Sequence, residues 1–331
     1  MDFTELIDLA AEKLGGAALW ANDDFFAPKE NLLKAAAPVF IEDKYTDLGK
    51  WMDGWESRRR RTPGYDWSII RLGLPGIIRG VVVDTSFFRG NYPEQCSLEG
   101  CTLDGLPSVA ELTSEALEWT EILARSQLTG DSQNPFAIES GQRVTHLRFK
   151  IYPDGGVARL RVYGEVVPDW DRLKRIGGEI DLAAVENGGL VLDCSDMFFG
   201  HRHNLIMPGR AANMSDGWET KRRRGPGHDW TIIRLGQPGR IRRLEVDTAW
   251  FKGNFPESCS LEGCRTTGNV LPTSLDWKPL LPRTKLQAHT RHFFEQEILD
   301  PGAVSHLRFN IFPDGGVSRL RVYGKLAESA K

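Results

Sequence analysis

The chain has 331 residues, enough for about two domains of ordinary size. With 40% hydrophobic and 26% charged residues it reads as globular rather than disordered. A net charge of −3 lacks the broad positive field of a dedicated nucleic-acid binder, and no apolar run reaches the ~18 residues of a membrane span.

In chain order, Met1–Glu5 has no basic-then-apolar secretory pattern, and an odd five cysteines suit reduced thiols. The chain therefore reads as soluble and cytoplasmic. Thr4–Leu14 fits an amphipathic helix closed by Gly15, or Leu6–Ala10 leads into a strand. Trp67–Leu72, Ile77–Asp84 and Cys96–Cys101 follow as strands separated by Gly, Pro and Asn. In 146–152, Leu147, Phe149 and Ile151 alternate with His146, Arg148 and Lys150, and 157–163 alternates likewise. Pro153-Asp154-Gly155-Gly156 between them predicts a hairpin turn. Pro168–Gly178 is a charged linker or short helix.

The whole pattern then repeats. Residues 53–101 return at 216–264 with 34 of 49 positions identical, and 146–164 at 306–324 with 16 of 19. A fainter echo upstream matches Asp8-Leu9-Ala10-Ala11 to Asp181-Leu182-Ala183-Ala184 and Phe25-Phe26 to Phe198-Phe199. Units this long are domains rather than solenoid repeats. The expectation is an all-β protein of two tandem sandwich or jelly-roll domains, 1–168 and 169–331.

Cys96/Cys101 and Cys259/Cys264 are five apart, so strand alternation turns each pair's thiols to opposite faces. A shared zinc would need them to converge, and buried structural thiols are expected. His201 and His203, found only in the second copy, could ligate a metal from one strand face, but surface histidines are the plainer reading. The basic runs Arg58–Arg61 and Lys221–Arg224 sit among acids at Asp53, Glu56, Asp66 and their copies Asp216, Glu219, Asp229. Either an ion-pair network or a cradle for a small anion fits that pattern. No nucleotide, serine-hydrolase or zincin fingerprint occurs.

The segments Asn22–Leu33, Gly49–Trp67, Asp84–Asn91 and 146–164 together resemble the allantoicase family, in register over nearly the whole chain. The resemblance implies two jelly-roll β-sandwiches similar to galactose-binding modules, in a homo-oligomer. It also implies hydrolysis of allantoate to ureidoglycolate and urea, a step of purine and allantoin breakdown. No cofactor is identifiable, and a divalent metal is left open. The rival is a non-catalytic module binding a small ligand or carbohydrate.

Read onto this sequence, the chemistry assigns Asp24, Glu56, Asp66 and His146 to catalysis. Asp23, Arg59, Arg60, Arg61 and Asn91 are assigned to substrate binding, one arginine clamping the carboxylate. Asp24 stands out because Met197 takes its place in the second copy. If the first copy is the catalytic half, that asymmetry is where acid–base chemistry was lost, and one or both copies could act.

Overall fold

The computed structural model describes residues 2–269 and 275–327. The chain divides into two compact units, Met1–Val167 and Pro168–Lys331, each almost entirely β. No helix among the described residues is long and apolar enough to cross a membrane.

One strand organises each unit. Asp66–Asp84 runs unbroken for 19 residues, where the sequence suggested two strands. Its first part, up to Arg71, pairs with Ala17–Ala21 on one side and Arg143–Tyr152 on the other. Gln95–Cys101 and then Thr120–Gln127 extend that sheet. Its later part, from Gly76, pairs with Arg159–Val166 and Gln133–Ala137 in a second layer, with Ile7–Asp8 at the edge. The Gly73–Gly76 punctuation thus marks where one strand passes from sheet to sheet. Glycine and proline weaken ladder pairing there without ending the strand.

The same geometry corrects the expected hairpin. Strands 143–152 and 159–166 do not pair with each other; each pairs with Asp66–Asp84. The first does so mainly over Asp66–Arg71 and the second over Gly76–Asp84, and they overlap only at Gly76 and Ile77. The Pro153–Gly156 turn carries the chain between layers, and Gly156–Val157 pairs with Trp55–Glu56 instead. Leu98, Phe149, Ile151, Val81, Leu160 and Val162 are buried between the layers, as the period-two pattern requires. Trp55 is fully buried, and its indole donates to the Asp23 carbonyl at 2.8 Å.

The second unit repeats this plan about Asp229–Asp247, which also spans 19 residues. At the N-terminus the helix alternative fails. Two 3-10 turns, Phe3–Glu5 and Glu12–Leu14, flank a two-residue strand, and Gly15 closes the second at φ +93°. Pro168–Gly178 does contain a short helix, Trp170–Ile176, capped by Asp169. Cys96, Cys101, Cys259 and Cys264 are buried and unbridged, and burial pushes the Cys96 and Cys259 thiols up to about 12. His201 and His203 lie on a 3-10 turn rather than a strand, and His203 is buried rather than on the surface.

Candidate active site

Four segments meet where the first unit's strands change layers. Glu56 is pinned by its backbone to Ala27 on one side and Gly156 on the other. Ser57 closes the next link: its N–H donates to the Gly155 carbonyl at 3.1 Å, and its hydroxyl accepts from the Gly155 N–H. Gly156 donates to the Asn91 carbonyl at 2.7 Å, packed so closely that a Cβ there would lie 1.9 Å from the Phe88 ring. Together these contacts frame a cavity of about 350 Å³, lined by Glu56, Arg59, Arg60, Asn91, Glu94 and Asp154 among others.

The polar groups of the cavity differ in freedom. Asn91 donates to Glu56 Oε1 at 2.7 Å. Burial pushes the Glu56 carboxyl above its ordinary value despite that bond. Arg60 is fixed at both ends, its backbone N–H on Asp154 (2.8 Å) and its guanidinium on buried Asp66 (2.7 Å). Arg59 is exposed on the cavity wall, with no hydrogen bond or ion pair to any described residue. A half-buried acid lining the same cavity as an unengaged guanidinium can help hold an anion and move a proton at one site.

The second unit builds the same frame. Glu219 is bridged to Gly200 and Gly316 and bonded by Asn254, and burial raises its carboxyl too. The Arg223 N–H donates to Asp314 at 2.7 Å, and its guanidinium pairs with Asp229. Arg222 is the exposed counterpart of Arg59 in this cavity, which measures about 620 Å³ and has a second exposed cation, Lys285, in its lining.

Comparison with known proteins settles the family. A family profile described as the Allantoicase repeat matches residues 7–167 and 180–327. The chain is 51% identical to a probable allantoicase of Photobacterium profundum, over 99% of each chain. It is 49% identical to the allantoicase of Dictyostelium discoideum, over 98% of this chain and 89% of that one. The chain belongs to the allantoicase family. The crystal structure of allantoicase from Saccharomyces cerevisiae superposes with a TM-score of 0.81 at 39% identity, covering 96% of this chain and 93% of that one.

Within this allantoicase fold the residues singled out by sequence separate into groups. Glu56, Arg59, Arg60 and Asn91 converge on the cavity. Asp66 lies behind it, 1% exposed, bound by Arg60 and by Asn22 at 2.8 Å, so it positions Arg60. Asp23 accepts from the Arg58 guanidinium and from the N–H groups of Arg58 and Phe25. Burial would raise its carboxyl, but those bonds hold it below the ordinary range. Asp24 is outside the lining, its side chain 41% exposed and paired with Lys29 at 3.3 Å. Arg61 is exposed and also outside.

His146 is buried against Arg71 and Cys101 in the sheet, seven residues from the turn, or about 23 Å along a strand. Its Nδ1 bonds the Thr145 hydroxyl at 2.9 Å, and burial, then the Arg71 charge, pushes its basicity down. It is a core histidine. Asp154 is a cavity residue that the turn reading missed. Its signal was the return of Pro-Asp-Gly-Gly as Pro313-Asp314-Gly315-Gly316. Among the described residues no three His, Cys, Asp or Glu side chains gather as metal ligands.

Proposed function

We propose that the chain is an allantoate amidinohydrolase, converting allantoate and water to ureidoglycolate and urea, and that the Glu–Asn–Arg cavity carries the reaction. The observation behind the site is one juxtaposition: a carboxyl raised by burial, Glu56, and an unengaged arginine, Arg59, in the lining of one cavity. Full-length relatives named allantoicases favour the enzyme over a binding module.

Allantoate carries a carboxylate and two ureido groups on a single carbon. Arg59 holds the carboxylate through its planar fork. Protonated Glu56 donates to one ureido nitrogen as the carbon–nitrogen bond breaks, and urea departs with the bonding electrons. The remaining ureido nitrogen shares its lone pair with the electron-poor carbon. Water then adds to that carbon, and the Glu56 carboxylate takes the water's proton, regenerating the acid. Asn91 holds Glu56 in place, while Asp66 and Asp154 keep Arg60 out of the substrate's way. Glu219, Arg222 and Asn254 offer the second repeat the same set.

A homo-oligomer working in the cytoplasm completes the reading, and light scattering tests the first of these. The activity test is urea release from allantoate by the purified chain, with and without added divalent metal. One urea per allantoate is expected, and no urea under either condition overturns the assignment.

A further inference from the structure

The two repeats differ on a sheet face outside the Glu–Asn–Arg cavities. In the first repeat Glu99 stands between two cations. Its Oε2 accepts from Arg148 Nε at 2.6 Å and its Oε1 from Lys150 Nζ at 2.5 Å. Lys150 is buried there, its ammonium 5.1 Å from the centre of the Tyr65 ring, which leans on Tyr152.

In the second repeat the glutamate and arginine remain as Glu262 and Arg308, paired at 2.7 Å, but Asn310 replaces the lysine. The shorter amide reaches Glu262 Oε2 at 3.0 Å, the oxygen Arg308 already uses. Glu262 Oε1 therefore accepts no hydrogen bond from any described residue. Glu262 lines a cavity of about 480 Å³, with Arg308, Asn310, Trp230, His228 and Phe312 also in its walls. That volume is in the range of small-molecule sites. His228 bonds the Asn310 carbonyl oxygen at 3.2 Å, holding the amide's donor end toward the glutamate. Burial alone would raise the Glu262 carboxyl, but Arg308 and Asn310 outweigh it and hold it below the ordinary value, so it is charged at neutral pH.

We propose that this cavity binds a small organic cation through a primary ammonium group, which takes the place on Glu262 Oε1 that the Lys150 ammonium takes on Glu99. The first repeat supplies the reasoning. A carboxylate with an arginine on one oxygen accepts an ammonium on the other, so the Arg308 charge is no bar. Aromatic rings around a desolvated cation add attraction of their own. The second repeat keeps the carboxylate and its arginine and lacks the tethered amine, and it presents His228 and Phe312 where the first has Tyr65 and Tyr152.

The test is saturation-transfer NMR of n-butylammonium with the full chain, n-butanol serving as the neutral isostere and n-butyl sulfate as the anion. Saturable binding of the ammonium, at least ten-fold tighter than the alcohol, is expected. Asn310→Lys, which restores the first repeat's arrangement, should weaken that binding at least ten-fold while allantoate hydrolysis is unchanged. Glu262→Gln, which removes the charge and keeps the shape, should weaken it similarly and guards against Asn310→Lys failing to fold. The inference is overturned if the wild-type chain binds the ammonium no better than the alcohol, if the anion binds best, or if binding survives Glu262→Gln.

Discussion

At the scale of single residues, the cavity separates groups that are free to react from groups that hold others still. Glu56→Gln keeps the Asn91 contact but loses the proton, and urea release should fall about 10²–10⁴-fold while the melting temperature stays near wild type. Because burial raises the Glu56 carboxyl, the donating form persists to higher pH than an ordinary glutamic acid allows. The rate kcat/KM should fall as pH rises through that raised value, and the limb should vanish from the residual activity of the Gln variant. Arg59→Ala should raise KM by roughly 10–100-fold, the loss of a charged hydrogen-bonded contact, measured by steady-state urea assays. Asp24→Asn should keep a near-normal rate, since its side chain pairs with Lys29 and lies outside the cavity lining. The repeated acid–arginine motif put Glu56 and Arg59 among the candidates, whereas Asn91 entered only through the family resemblance at Asp84–Asn91. The Asp24/Met197 difference was legible too; the structure pairs Asp24 with Lys29, outside the cavity lining. Residue types alone cannot tell a clamp from a brace: Arg59, Arg60 and Arg61 are identical letters with three environments.

At the scale of elements, alternation identified the strands because a half-buried strand must alternate, and the turns were legible from Gly and Pro. Pairing was not, because the turn at Pro153–Gly156 would suit a hairpin equally well. What decides is the long strand Asp66–Asp84, whose two halves recruit different partners. The turn's role in the site follows from packing. Gly156→Ala forces a Cβ to within 1.9 Å of Phe88 and should cost about 1–3 kcal/mol in urea unfolding. Activity should fall further, because the same shift moves Asn91 and Glu56. Gly141→Ala, with nothing within 4 Å of the added carbon, is the matching control and should change little.

At the scale of the whole molecule, duplication was the most legible feature, and it separates what both repeats keep from what one has altered. Each unit retains its Glu–Asn–Arg cavity, whereas the lysine on the outer sheet face survives only in the first. Stability should carry a pH signature from the second unit, where burial lifts the Asp181 carboxyl to about 6. A carboxyl raised by folding stabilises the fold fully below its unfolded value, and the contribution is lost as pH rises through about 6. Asp181→Asn should therefore gain on the wild type between pH 4 and 7.5 in denaturant midpoints, and a variant that loses ground instead would contradict that assignment. The central claim, that allantoate is cleaved at the Glu–Asn–Arg cavities, meets its most direct measurement in the folded double variant Glu56→Gln/Glu219→Gln. Its urea release from allantoate should fall at least about 100-fold below wild type, and a double variant working at the wild-type rate would contradict the claim.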